Sequence, residues 1–208
     1  MTTLADVLRT RGQLAEARVM ARAALQADAF LRADRFTIFT LAQTLLDLGE
    51  IEQAYPFCEE GRRRFPDEPA YYNCSLVALA TAGGPSVDVD EVWELLNGFD
   101  RTLQGQSPHG RMLVAGALAR AGLADSARAV MRHAFDLAGD AADDPWLIYY
   151  EANVRLLLGE TDQVIDRLGT FLASNPDRKS YIAREAWWVP LHGDPRFEAL
   201  VDTTPRTP

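Results

Sequence analysis

RTRGQLAEARVMARAAL (9–25), LDLGEIEQAYPFCEEGR (46–62), ARAGLADSARAVMRHAF (119–135) and LLLGETDQVIDRLGTFL (156–172) superimpose without gaps on Gly12, Gly49, Gly122 and Gly159. A fifth, weaker copy is anchored at Gly83, and the intervals between the glycines are 37, 34, 39 and 37 residues. Self-similarity at such a period marks a stack of helix–turn–helix units. Before each glycine a first helix carries an apolar stripe with a small residue in it: Leu4, Ala5 and Leu8; Leu41, Ala42 and Leu45; Val114, Ala115 and Leu118. The small residue lets a neighbouring helix approach, and the glycine ends the helix because the turn needs a left-handed backbone. After it comes a second stripe, Ala17, Ala21 and Ala24; Ala54, Cys58 and Gly61; Ala127, Met131 and Ala134. Pro66 and Pro176 each stand seventeen residues past their glycine and close the second helix.

This spacing of small, apolar, glycine and proline positions resembles the tetratricopeptide repeat (TPR) family over residues 2 to 176. Unit one departs from it with Ala29 in place of the closing proline. Unit three has Ser75 where a large apolar residue is expected, and an insertion, GPSVDVDEVWELL (84–96), before its second helix. The expected fold is all-α: a right-handed α-solenoid of about five TPR-like helical hairpins with a C-terminal cap. The units fall at about 1–30, 34–67, 69–104, 108–139 and 145–176, followed by capping helices over 177–202 and a disordered tail at 203–208. A helix from about Arg178 to Val189, carrying Tyr181, Ile182, Ala186 and Trp187, is expected to cover the last repeat, since a solenoid needs a polar end. Asp194 then reads as an N-cap, Pro195 as the first helical residue, and Phe197, Leu200 and Val201 as inward-facing. This ending resembles those of TPR segments in bacterial signalling proteins.

Composition narrows the function. The 208 residues are 48% hydrophobic and 25% charged, with 21 Lys and Arg against 30 Asp and Glu, a net charge of −9. An acidic surface repels phosphate backbones and anionic lipid, so neither nucleic acid nor membrane is an expected partner. No apolar stretch approaches a membrane span, and Asp6 and Arg9 interrupt the N-terminus, so a cytoplasmic protein is expected. Cys58 and Cys74 are too few for a disulfide framework and are not spaced as a CxxC motif; buried, reduced thiols are expected, core packing being preferred over a redox pair.

There is no phosphate-binding Gly-rich loop, HExxH helix, GxSxG elbow or EF-hand loop. His109, His133 and His192 lie in different units, away from other ligating residues. No enzyme activity, metal or cofactor is therefore expected. Asp140, Asp143 and Asp144 read as a solvated linker rather than a calcium loop, and Arg62, Arg63 and Arg64 as cations offsetting the negative end of a helix dipole.

The TPR resemblance implies that first helices line a concave groove through positions ten, six and three residues before the glycine. These include Phe39 and Gln43; Asn73 and Val77; Met112; Tyr149 and Asn153, with Phe36, His109 and Trp146 as a rim. Aromatics with amides one turn away suit a peptide: the amides satisfy a guest backbone and the rings cover its side chains. The carboxylate clamp of TPR proteins that hold chaperone C-termini is missing, since Phe39, Gln43, Asn73 and Met112 stand in its places. The expected role is a non-catalytic scaffold for a protein or peptide partner. The alternatives are a regulatory or sensory module of a bacterial signalling protein, or a homodimer paired through exposed residues such as Phe36, Phe39 and Leu46.

Overall fold

The computed structural model describes residues 2–27 and 35–203, all helix and connecting turns among the described residues. Ala29 and the tail beyond Thr203 lie outside them. The chain divides after Gln106 into two compact units.

The first unit holds α1 (Thr2–Thr10), α2 (Leu14–Ala27), α3 (Arg35–Asp47), α4 (Ile51–Arg64), α5 (Pro69–Ala80) and α6 (Val89–Leu103). Each helix packs on its sequence neighbour, α1 also reaches α3, and α3 reaches α5. Gly49 shows how the turns are made. Its φ is +73°, its N–H reaches the Leu46 carbonyl at 2.9 Å, and the Glu50 N–H reaches back to Leu45 at 2.9 Å. That pair of bonds satisfies two carbonyls left over at the helix end, and a Cβ at this φ is disfavoured. The same two bonds recur at Gly12, Gly122 and Gly159. Gly83 also has a positive φ, +74°, but the bond that follows is a short one, Gly84 N–H to Thr81. The inserted residues delay α6 to Val89, where the Asp88 side chain caps it by accepting from the N–H groups of Asp90 and Glu91.

The small residues of the second helices are all interior: Ala17, Ala54 and Cys58 are wholly buried, as are Leu41, Ala42 and Leu45 opposite them. On α1, Leu4 is half exposed while Ala5 is buried. Two glycines mark the closest helix approaches. A Cβ on Gly61 of α4 would stand 1.9 Å from the Tyr71 ring of α5, and one on Gly98 of α6 would stand 2.2 Å from the Tyr72 ring. Adjacent tyrosines of α5 thus fill the spaces left by glycines on the helices to either side.

The cysteines differ from expectation. Cys58 of α4 and Cys74 of α5 are joined in a disulfide, with Cα atoms 5.5 Å apart. Both occupy buried positions on facing helices, within the usual bridging distance.

The second unit holds α7 (Pro108–Arg120), α8 (Ala124–Ala138), α9 (Pro145–Leu157), α10 (Thr161–Ser174), and the short α11 (Lys179–Ile182) and α12 (Pro195–Val201). Ser107 and Asp144 cap α7 and α9, each ahead of a proline at the first helical position. Ala127, Met131 and Ala134 on α8, and Val164, Leu168 and Phe171 on α10, form the buried stripes. In α9 the stripe position equivalent to Leu41 and Val114 is Glu151, only 1% exposed. Its carboxylate lies 2.6 Å from Arg155 and 2.9 Å from Arg167, so the charge is buried paired.

The single helix expected over 178–189 is not formed. The segment is broken into α11 and a 3-10 turn over Ala186–Leu191, with Glu185 extended between them at φ −72° and ψ 138°. Tertiary contacts outweigh local helical pattern here. Extending the chain at Glu185 puts its carboxylate where Tyr149, Tyr181 and the Trp188 indole all donate to it, and Pro190 is unsuited to a longer helix. Farther on, the Asp194 side chain caps α12, and Phe197 and Val201 face inward as the pattern implies.

Candidate protein-docking face

In the first unit α3 and α5 are buried on nearly every side. The middle of α3 leaves only Phe39 and Gln43 partly open, with Phe36 exposed at its N-terminal end; α5 leaves only Asn73 and Val77 open beyond its first turn. They recur at intervals of three and four residues on α3 and of four on α5, which places those of each helix on one stripe. Phe36 is 56% exposed, with the Arg35 guanidinium 4.8 Å above its ring. Phe39 stands edge-on to Tyr71 at 5.9 Å, and Tyr71 is held by stacking on Phe65 and by donating its hydroxyl to the Arg35 carbonyl. Val77 rests on the buried cluster that includes Leu45, Cys58 and Cys74.

The amides are the chemically informative members. Among the described residues, neither the Gln43 nor the Asn73 side chain has a hydrogen-bond partner, although both are half-buried. By contrast, Thr44, Ser75 and Thr81 beside them are all bonded, to Thr40, Glu59 and Val77 respectively. Two amides, each offering donors and acceptors between aromatic and aliphatic neighbours, can take up the backbone of an extended segment. Ion pairs flank this region: Arg35 with Glu68, and Arg9 with Asp47 at 3.0 Å. Burial pushes the Asp47 carboxyl up despite the adjacent Arg9 guanidinium.

The second unit treats the equivalent positions differently. Met112 is fully buried with Met131, Ala134, Leu147 and Val154, and Tyr149 and Asn153 are each 3% exposed. These three are buried and do not line an open face. Trp187 stacks on Tyr149 with ring centres 5.4 Å apart, Trp188 and Trp146 meet it edge-on, and Phe171 lies at 5.1 Å. Burial and the nearby Glu185 charge push the Tyr149 phenol well above its ordinary range, so it remains a donor. Trp146 stays 38% exposed, with Arg178 over its ring at 5.5 Å. His109 lies beside Asp144 at 3.1 Å and meets Tyr150 edge-on. Burial pushes the Asp144 carboxyl up, but the hydrogen bonds from His109, Leu147 and Trp146 and the His109 charge together hold it below its usual value.

Sequence reasoning missed Glu151 and Glu185. The first was visible as Glu151, Ala152 and Arg155 standing where other units carry two large apolar residues around a small one. Among the described residues no group of three or more His, Cys, Asp or Glu is placed to hold a metal ion, and no helix is long and apolar enough to cross a membrane.

Helical hairpins joined by left-handed glycine turns, with small residues at the helix contacts, define a tetratricopeptide-repeat fold. Comparison with solved structures agrees: the chain is similar to TTC0263, a thermophilic TPR protein of Thermus thermophilus, with 20% identity over 88% of this chain and 94% of that one and a TM-score of 0.62. A second similar structure is YrrB, described as a TPR protein with an unusual peptide-binding site, with 12% identity over 86% of this chain and 89% of that one and a TM-score of 0.39. A scan against family models and a search of curated proteins found no match.

Proposed function

We propose that this chain is a non-catalytic scaffold whose α3–α5 face, formed by Phe36, Phe39, Gln43, Asn73 and Val77, docks an extended segment of a partner protein. The observation that carries the reading is the pair of half-buried amides without internal hydrogen bonds, set among side chains that leave apolar surface open. Elsewhere on these two helices interior polar side chains such as Ser75 and Thr44 are bonded within the chain. Phe36 would cover an apolar guest side chain at one end, while Gln43 and Asn73 bond its backbone. Trp146, with Arg178 above it, is a separate exposed aromatic in the second unit and is not needed for this role.

The test is a displayed library of random peptides panned against the purified protein, followed by fluorescence anisotropy of the selected sequences. Peptides should bind the wild type and lose at least roughly tenfold in affinity, worth about 1.4 kcal/mol, on Asn73→Ala or Phe36→Ala. Selected peptides that bind both variants unchanged would place docking elsewhere.

A further inference from the structure

We propose that Cys58 and Cys74 form a redox-responsive staple that sets the rigidity of the α4–α5 pair. Both residues are wholly buried in one apolar cluster with Leu41, Leu45, Ala54 and Ala78, and the disulfide joins positions 16 residues apart across two packed helices. It is the only disulfide among the described residues. Nearby, the Tyr71 ring occupies the space a Cβ on Gly61 would fill, so α4 and α5 sit at a separation with no slack. The link spans this close contact, and it removes the freedom of the intervening loop from the open state.

The chemistry balances as an exchange. Two thiols and one molecule of oxidised glutathione, or of an oxidised dithiol protein, give the Cys58–Cys74 bond and two new thiols; two electrons and two protons pass to the oxidant. Exchange proceeds by thiolate attack on sulfur, and neither sulfur is accessible while α4 lies against α5. Opening and closing of the staple thus wait on local separation of the two helices, so the closed form outlasts a brief reducing pulse.

The experiment compares the full chain equilibrated in oxidised glutathione with the same chain fully reduced. The oxidised form should lose two hydrogens by mass and resist alkylation at Cys58 and Cys74 even after unfolding in denaturant without reductant, where the reduced form is alkylated at both. Reduction should lower the melting temperature by roughly 6–12 °C and speed hydrogen exchange over residues 51–80, leaving 145–174 unchanged. A Cys58→Ala, Cys74→Ala variant should show no response to reductant. The proposal fails if no mass change occurs, if the two states melt and exchange alike, or if the double variant keeps the reductant-dependent shift. None of these readouts needs a partner, so they stand or fall separately from the docking face.

Discussion

Arg128 of α8 lies 2.9 Å from Glu160, the residue that follows the next repeat's turn glycine, and Arg18 of α2 makes the same pairing with Glu50. Each arginine stands six residues after its own glycine and each glutamate one residue after the following one. The pairing recurs in both compact units, linking successive hairpins at equivalent positions. Both pairs are partly exposed, and Glu160 is shared with Arg155 at 2.8 Å. Such pairs are worth little individually, so Arg128→Ala is expected to cost under about 1 kcal/mol, with the loss shrinking as salt rises. Urea unfolding at low and high ionic strength checks this; a loss of several kcal/mol independent of salt would contradict it.

The buried ion pair behaves differently. Glu151→Gln leaves Arg155 and Arg167 without their shared carboxylate and is expected to destabilise by about 3 kcal/mol. Replacing Glu151 and Arg155 together by leucine rebuilds the apolar stripe that Leu41 and Leu45 supply in the second repeat, and should recover more than half of that. Denaturant midpoints of the single and double variants measure both.

Glycines of the two kinds are separable by mutation. Gly122→Ala meets open space but keeps φ at +78°, so the backbone alone penalises it, by about 1 kcal/mol. Gly61→Ala gains helix propensity of about 1 kcal/mol, yet its Cβ meets the buried Tyr71 ring at 1.9 Å. Overpacking wins, and a net loss of about 2 kcal/mol or more is expected. Thermal melts of the two variants give the order directly.

Acid should weaken the cap of α12. The Arg196 side chain and backbone N–H hydrogen-bond the Asp194 carboxylate and hold its pKa down to about 2. A carboxylate depressed in the folded state contributes stability that is full above its unfolded value, near 4, and is lost as pH falls toward 2. Asp144, held down at the start of α9, adds to the same trend. Asp194→Asn keeps an N-cap side chain but removes the titration, so its stability should vary less between pH 5 and pH 2.5 than the wild type's, as urea midpoints would show.

The fold was legible because its determinants are local and repeated. Turn glycines, the alanines of the second helices and the prolines after α4 and α10 each act within a few residues of where they stand. What the sequence did not reveal depends on residues far apart. Tyr149 and Asn153 keep the repeat's spacing, and for Tyr149 the cover comes from Trp187 and Trp188, nearly forty residues on, after a break at Glu185 that no helical periodicity encodes. Cys58 and Cys74 were placed on neighbouring helices by the pattern, but the register that brings their Cα atoms to 5.5 Å is set by packing.

Docking on the α3–α5 face is tested by the affinity of a library-selected peptide for the wild type, for a Gln43→Ala, Asn73→Ala variant and for Leu123→Ala, an exposed change in the second unit. The amide variant should melt within a few degrees of the wild type, because these side chains have no internal bonds to lose, yet bind at least roughly tenfold more weakly, while Leu123→Ala binds unchanged. Equal binding by all three proteins would contradict a docking role for the α3–α5 face.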